Sequence, residues 1–137
     1  EWLLFTGGWQ PSLSAWLVRT LRHGDCFVDV GANTGYFSLL AAALVGREGR
    51  AVAVEACPRT FERLRANLAL NSELAPRVRA LQLAVAESVG QTTLYQHRRE
   101  PLYNTTVSGA GAGGGGAGPI RFLVAFFVSS AREGRRF

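Results

Sequence analysis

The feature that most limits this chain is an apolar strand that stops on a glycine-rich turn and resumes as an apolar helix: FVDVGANTGYFSLL, residues 27–40. Cys26 to Val30 is a short apolar run whose length fits a buried parallel strand. After the turn, Tyr36, Phe37, Leu39, Leu40, Ala43 and Leu44 read as a helix buried on a wide face, and VGREGR at 45–50 ends it. In a parallel sheet, ligands bind at the carboxyl ends of strands, where the next helix points its free N–H groups outward. A function of this chain should therefore sit at this turn.

The same alternation continues on both sides. Leu13, Trp16, Leu17 and Leu21 mark one face of a preceding helix, with Ser12 as its expected N-cap and Arg22-His23-Gly24 as its end. Ala51 to Val54 reads as a second strand, closed by Glu55. Pro58 suits the first turn of a helix whose stripe is Phe61, Leu64 and Leu68. Pro76 breaks the chain, Val78 to Val85 reads as a third strand, and Thr92 to Tyr95 as a fourth. Strand–helix alternation of this kind predicts an α/β fold with a parallel sheet.

At 137 residues the chain can bury one core, and 47% apolar with 18% charged residues suits a folded domain. The boundaries follow composition: a domain over 1–107, a Gly/Ala-rich linker over 108–118, and a tail over 119–137. The linker holds GAGAGGGGAG, which carries no packing information. It imposes no register on the apolar run Ile120 to Val128, which Arg121 interrupts, so residues 109–137 are expected to be poorly ordered or to pack loosely. All 15 basic residues are arginine, and the net charge of +5 is split between core and tail. That leaves the core too weakly basic for a nucleic-acid partner. No apolar run is long enough for a membrane span. Cys26 and Cys57 lack metal-ligand spacing and are expected as buried or half-buried thiols in a reducing, cytoplasmic setting. His97, Arg98, Arg99 and Asn104-Thr105-Thr106 read as solvated loop, so the catalytic base is left unassigned and no metal site is expected.

The turn itself narrows the ligand. A dinucleotide fingerprint wants glycines at 31, 33 and 36, whereas this chain has Gly31, Asn33 and Tyr36. A P-loop needs a lysine, and the chain has none. What remains is Asp29-x-Gly31-x-Asn33-x-Gly35, with Glu55 at the next strand end. Gly31 and Gly35 permit close backbone approach and positive φ. Asp29 can hold an ammonium, directly or through water, and Glu55 can accept from both hydroxyls of a ribose. An ammonium, a carboxylate at a helix N-terminus and a ribose diol describe S-adenosylmethionine.

The stretch GDCFVDVGANTGYFSLLAAALVGREGRAVAVEACPRTFERLRANLALN resembles the opening of the FkbM family of class I, S-adenosylmethionine-dependent methyltransferases. LQLAVAESVGQTTLY, residues 81–95, is similar to that family's third strand and its next, glycine-containing hairpin or strand. The resemblance covers about Leu13 to Tyr95. It implies a partial Rossmann-like, doubly wound sheet and methyl transfer to a hydroxyl of a small molecule or sugar. It also implies that Asp29, Gly31, Asn33 and Gly35 surround the methionine moiety, Glu55 the ribose, and Ala84 the adenine. The family's later Asp-x-Glu-Gly strand end has no counterpart here, so an incomplete acceptor pocket and weak catalysis are expected. Two other readings stay open. One is a non-catalytic cofactor-binding or interaction module, the other an NAD-dependent oxidoreductase, which Asn33 and Tyr36 argue against.

Overall fold

The computed structural model describes residues 10–86, 91–95 and 117–124. Helix α1 (Pro11–Thr20) leads to β1 (Cys26–Val30), α2 (Tyr36–Leu44), β2 (Arg50–Val54) and α3 (Pro58–Leu70). A short 3-10 turn at Ala75–Arg77 precedes β3 (Val78–Leu81). Three further strands are β4 (Ala84–Ala86), β5 (Gln91–Tyr95) and β6 (Ala117–Val124).

Strands β1, β2 and β3 form a parallel sheet in that order, with Asp29, Ala53 and Ala80 in register across it. Residues alternate between faces along a strand, so Asp29, Ala53 and Ala80 share one face. Both crossover helices lie against that face. Ala32, Ala53, Leu64 and Leu68 form its buried centre, with Leu39, Phe61, Val78 and Ala80 packed around them. Small residues allow this close approach: α2 buries Ser38, Ala41 and Ala42, while its larger side chains are half-buried.

The opposite face has no helix on it among the described residues. Val28 is 52% exposed and Val30 47%, and Cys26 and Arg79 are exposed beside them. The expected strand at Cys26–Val30 is present with those limits, but among the described residues it is an edge strand covered on one face rather than a buried one. The fold is thus α/β and Rossmann-like, wound on one side only as far as the described residues go.

Three other expectations change. The run 78–85 is two strands, because the chain leaves the first sheet at Gln82-Leu83 and β4 joins a second one. That second sheet has the order β4-β6-β5, with β6 parallel to β4 and antiparallel to β5. The segment expected to lack register is therefore a paired strand from Ala117 to Val124, starting two residues inside the expected linker. Its register comes from its neighbours' edges rather than from the linker. Residues 117–121 pair with β5 and 122–124 with β4, so Pro119, which lacks an N–H, has a strand on one side alone. Arg121 sits opposite Gln91 without interrupting the strand.

Helix α1 also starts differently. Pro11 occupies its first turn and Gln10, not Ser12, is the N-cap residue, at φ 45° and with no side-chain cap bond. Of its expected apolar stripe, Leu17 is buried, whereas Leu13 and Trp16 are exposed. Cys57 is a buried free thiol, but Cys26 is exposed because it lies on the uncovered face of β1. Among the described residues no helix is long and apolar enough to cross a membrane. His97, Arg98, Arg99, Asn104-Thr105-Thr106 and the end of the tail, 125–137, lie outside the described residues.

Candidate functional site

The turn after β1 is built from backbone bonds that only a tight, partly left-handed path allows. The N–H groups of Gly31 and Ala32 both donate to the Val54 carbonyl, at 2.9 and 3.0 Å. Gly31 has φ +76° and Gly35, the N-cap residue of α2, has φ +88°, a region that disfavours side chains. Asn33 adopts φ 51° between them, a conformation asparagine tolerates better than most residues. Helix α3 holds the turn from behind, with Asn67 Nδ2 donating to the Thr34 carbonyl at 2.8 Å.

Glu55 joins this turn to the next. Its Oε2 accepts from the Asn33 N–H at 2.9 Å and its Oε1 from the Cys57 N–H at 2.8 Å. A carboxylate oxygen can accept more than one bond, so both retain capacity for a ligand. The side chain is fixed before any ligand arrives.

Beside this carboxylate, at the carboxyl ends of β1 and β2, lies an open cavity of about 300 Å³. Gly31, Asn33, Glu55 and Ala84 line it, so four of the six residues expected from the sequence meet around one space. The other two do not line it. Gly35 is buried behind the turn, where an added Cβ would lie 3.3 Å from Leu64 Cγ, so it serves packing against α3. An added Cβ at Gly31 would meet nothing within 4 Å.

Asp29 is held one level below the turn. Its Oδ2 accepts a 2.6 Å hydrogen bond from the Ser38 hydroxyl, in the first turn of α2. Burial pushes its carboxyl above the usual aspartate range, and the hydroxyl and backbone N–H of Ser38 pull it partly back.

Several cavity residues carry no signal of their own in the sequence. Cys57 and Thr60 line the wall from the start of α3, and Leu94 enters from β5 in the second sheet. Leu94 is 5% exposed and packs against Cys57, with Ala56 and Ala84 beside them. A strand distant in sequence thus closes one side. Ser38 was legible in principle, as one hydroxyl within an apolar helix face.

A second cleft, of about 450 Å³, opens near the amino ends of β2 and β3 between Arg47, Arg50, Glu73 and Arg77. Two of its three arginines have structural partners: Arg50 donates to the Arg47 and Gly49 carbonyls, and Arg77 to the Ala42 carbonyl near the end of α2. The strand-end cavity is the better site because the turn's strained backbone and the anchored carboxylate converge there. Among the described residues no group of three or more His, Cys, Asp or Glu could hold a metal ion.

Parallel strands, a glycine turn without a phosphate grip and an acid closing the second strand define a class I, S-adenosylmethionine-dependent methyltransferase fold. A structure described as an rRNA-methylase from Clostridium thermocellum shares it, with a TM-score of 0.50 and 20% identity over 54% of this chain and 39% of that one. The chain belongs to the protein-L-isoaspartate(D-aspartate) O-methyltransferase family, whose profile matches residues 10–112. A protein-L-isoaspartate O-methyltransferase of Ignicoccus hospitalis is 38% identical over 60 residues, 42% of this chain and 28% of that protein. Protein-L-isoaspartate O-methyltransferase 2 of Archaeoglobus fulgidus is 40% identical over 48 residues, 35% of this chain and 22% of that protein. The matched stretches thus span about a quarter of those relatives' own length. S-adenosylmethionine is the cofactor of this class, in agreement with the ligand expected from the turn. The family shown is the isoaspartate one; the FkbM resemblance is not shown.

Proposed function

We propose that this chain carries the cofactor-binding part of a methyltransferase that acts on isoaspartyl residues of proteins. The cavity's residues fit the cofactor on their own chemistry. Glu55, anchored by two backbone amides, is the observation that carries the assignment: it presents acceptors to a vicinal diol without further ordering. Gly31 leaves the turn open on the ligand side. Asp29, beneath the turn and outside the cavity lining, answers an ammonium through water, and Ala84, Cys57 and Leu94 provide an apolar wall for a base.

When bound, the cofactor supplies a methyl group on a sulfonium centre. The chain's part is to fix that group's direction and keep competing water away. An isoaspartyl acceptor offers a carboxylate, which is already ionised at neutral pH. Transfer to it depends on alignment, with no proton to remove.

The second reading is transfer to a hydroxyl of a small molecule or sugar, which the run Asp29 to Phe37 supports through its FkbM-like pattern. A hydroxyl acceptor would need help from a base. Labelled S-adenosylmethionine offered with an isoaspartyl peptide, its aspartyl isomer and a panel of sugar hydroxyls separates the readings. Label in the isoaspartyl peptide alone is expected. Label in a hydroxyl acceptor would favour the second reading, and cofactor binding without transfer would favour a binding module.

A further inference from the structure

We infer that Ser38 is the positioning residue of the cofactor site, fixing the orientation of the Asp29 carboxylate beneath the turn that lines the cavity. The inference rests on the cofactor reading above and concerns a residue that the reading does not use.

Ser38 is completely buried within a helix otherwise made of apolar side chains and alanines. A buried hydroxyl without a partner would be costly. This one donates to Asp29 Oδ2 at 2.6 Å, the short distance expected when a hydroxyl meets a charged acceptor. The bond spans from the first turn of α2 back to β1, so it fixes the carboxylate's rotation relative to the turn that lines the cavity. The hydroxyl thus holds Asp29 by its Oδ2 from the helix side.

No other charged or titratable group competes for that position among the described residues. Ala53 stands beside Asp29 on β2. Tyr36, the only titratable residue of α2, has its hydroxyl 3.4 Å from Ser14 Oγ. Arg50 of β2 is tied to the Arg47 and Gly49 carbonyls at the far end of the strand. Arg59, Glu62, Arg63 and Arg65 of α3 are exposed, and Glu55 is engaged by Asn33 and Cys57. Against the burial that opposes Asp29's charge, the Ser38 hydroxyl is the counterweight.

The test is calorimetric titration of the full chain with S-adenosylhomocysteine from pH 5 to 8, for the unaltered chain, Ser38→Ala, Ser38→Thr, Asp29→Ala and the Asp29→Ala/Ser38→Ala pair. Loss of a hydrogen bond to a charged group predicts roughly tenfold weaker binding for Ser38→Ala at neutral pH. Its acid limb should also move to higher pH, since the remaining carboxylate protonates more readily. Ser38→Thr, which keeps the hydroxyl, should restore the unaltered profile. In the Asp29→Ala background Ser38→Ala should cost nothing more, whereas general damage to the helix would cost the same in both backgrounds. An unmoved acid limb, or equal losses with and without Asp29, would overturn this inference alone. No binding by the unaltered chain would overturn the cofactor reading and this inference with it.

Discussion

The carboxylate of Glu55 accepts from the backbone N–H of Asn33 at 2.9 Å, so the end of the second strand locks the turn after the first. Its other oxygen takes the Cys57 N–H at 2.8 Å. One side chain therefore serves two turns and a ligand. Glu55→Ala should weaken S-adenosylhomocysteine binding by about 1.5–3 kcal/mol and lower the melting temperature as well, because two amides lose their acceptor. Titration and thermal unfolding of the same preparation check both. Unchanged affinity would show that the acid serves the turns alone.

The two glycines of the turn should respond differently. Gly31→Ala places its methyl in open space and forces a left-handed alanine, at a cost of roughly 1–2 kcal/mol, with crowding of the cavity besides. Gly35→Ala meets the same backbone strain and also Leu64 Cγ at 3.3 Å. Gly31→Ala should therefore lose more affinity than stability, and Gly35→Ala more stability than affinity. A reversed order would contradict the assignment of Gly31 to the cavity and Gly35 to the core.

Asp29 gives a pH dependence whose sign is opposite to that of an ordinary salt-bridged carboxylate. Burial holds its folded-state pKa above the ordinary value, so the folded chain takes the proton more readily than the unfolded one. The stability linked to that proton is fully present below the unfolded pKa and is lost as pH rises through the folded one. At neutral pH the charge costs stability in the ligand-free chain, and Asp29→Asn should raise the melting temperature. The difference should shrink as pH falls toward the acid range. A constant difference from pH 4 to 8 would rule out the charge as its source.

The one-sided sheet makes a contrast of positions. Leu64 is fully buried between α3 and the sheet, and Leu64→Ala should cost about 2–5 kcal/mol. Val28 is 52% exposed on the face that the described residues leave uncovered, and Val28→Ala should cost only about 0.5 kcal/mol. Chemical denaturation of both variants checks this. A large loss at Val28 would mean that the face is covered in solution.

What was legible in the sequence was what local patterning determines. The bounds of β1 and β2 nearly coincide with their apolar runs, and Pro58 does open α3. The turn residues Gly31, Asn33 and Glu55 were recognisable because strand ends in a parallel sheet must converge. What could not be read depends on partners distant along the chain. Whether β1 is central or an edge is decided by what pairs with it, and Cys26 to Val30 looks the same either way. The split of 78–85 and the pairing of β6 come from edges supplied by other strands. Leu94 reaches the cavity only through that pairing. Gly35 was expected near the ligand because positive φ serves packing and binding alike, and the sequence does not show that its Cβ position faces Leu64 at 3.3 Å.

Calorimetric titration of the unaltered full chain with S-adenosylhomocysteine and, separately, with NAD tests the central claim most directly. The strand-end cavity, with its anchored Glu55 and no phosphate grip, predicts saturable binding of S-adenosylhomocysteine and no response to NAD. Tight binding of NAD with no heat from S-adenosylhomocysteine would contradict it.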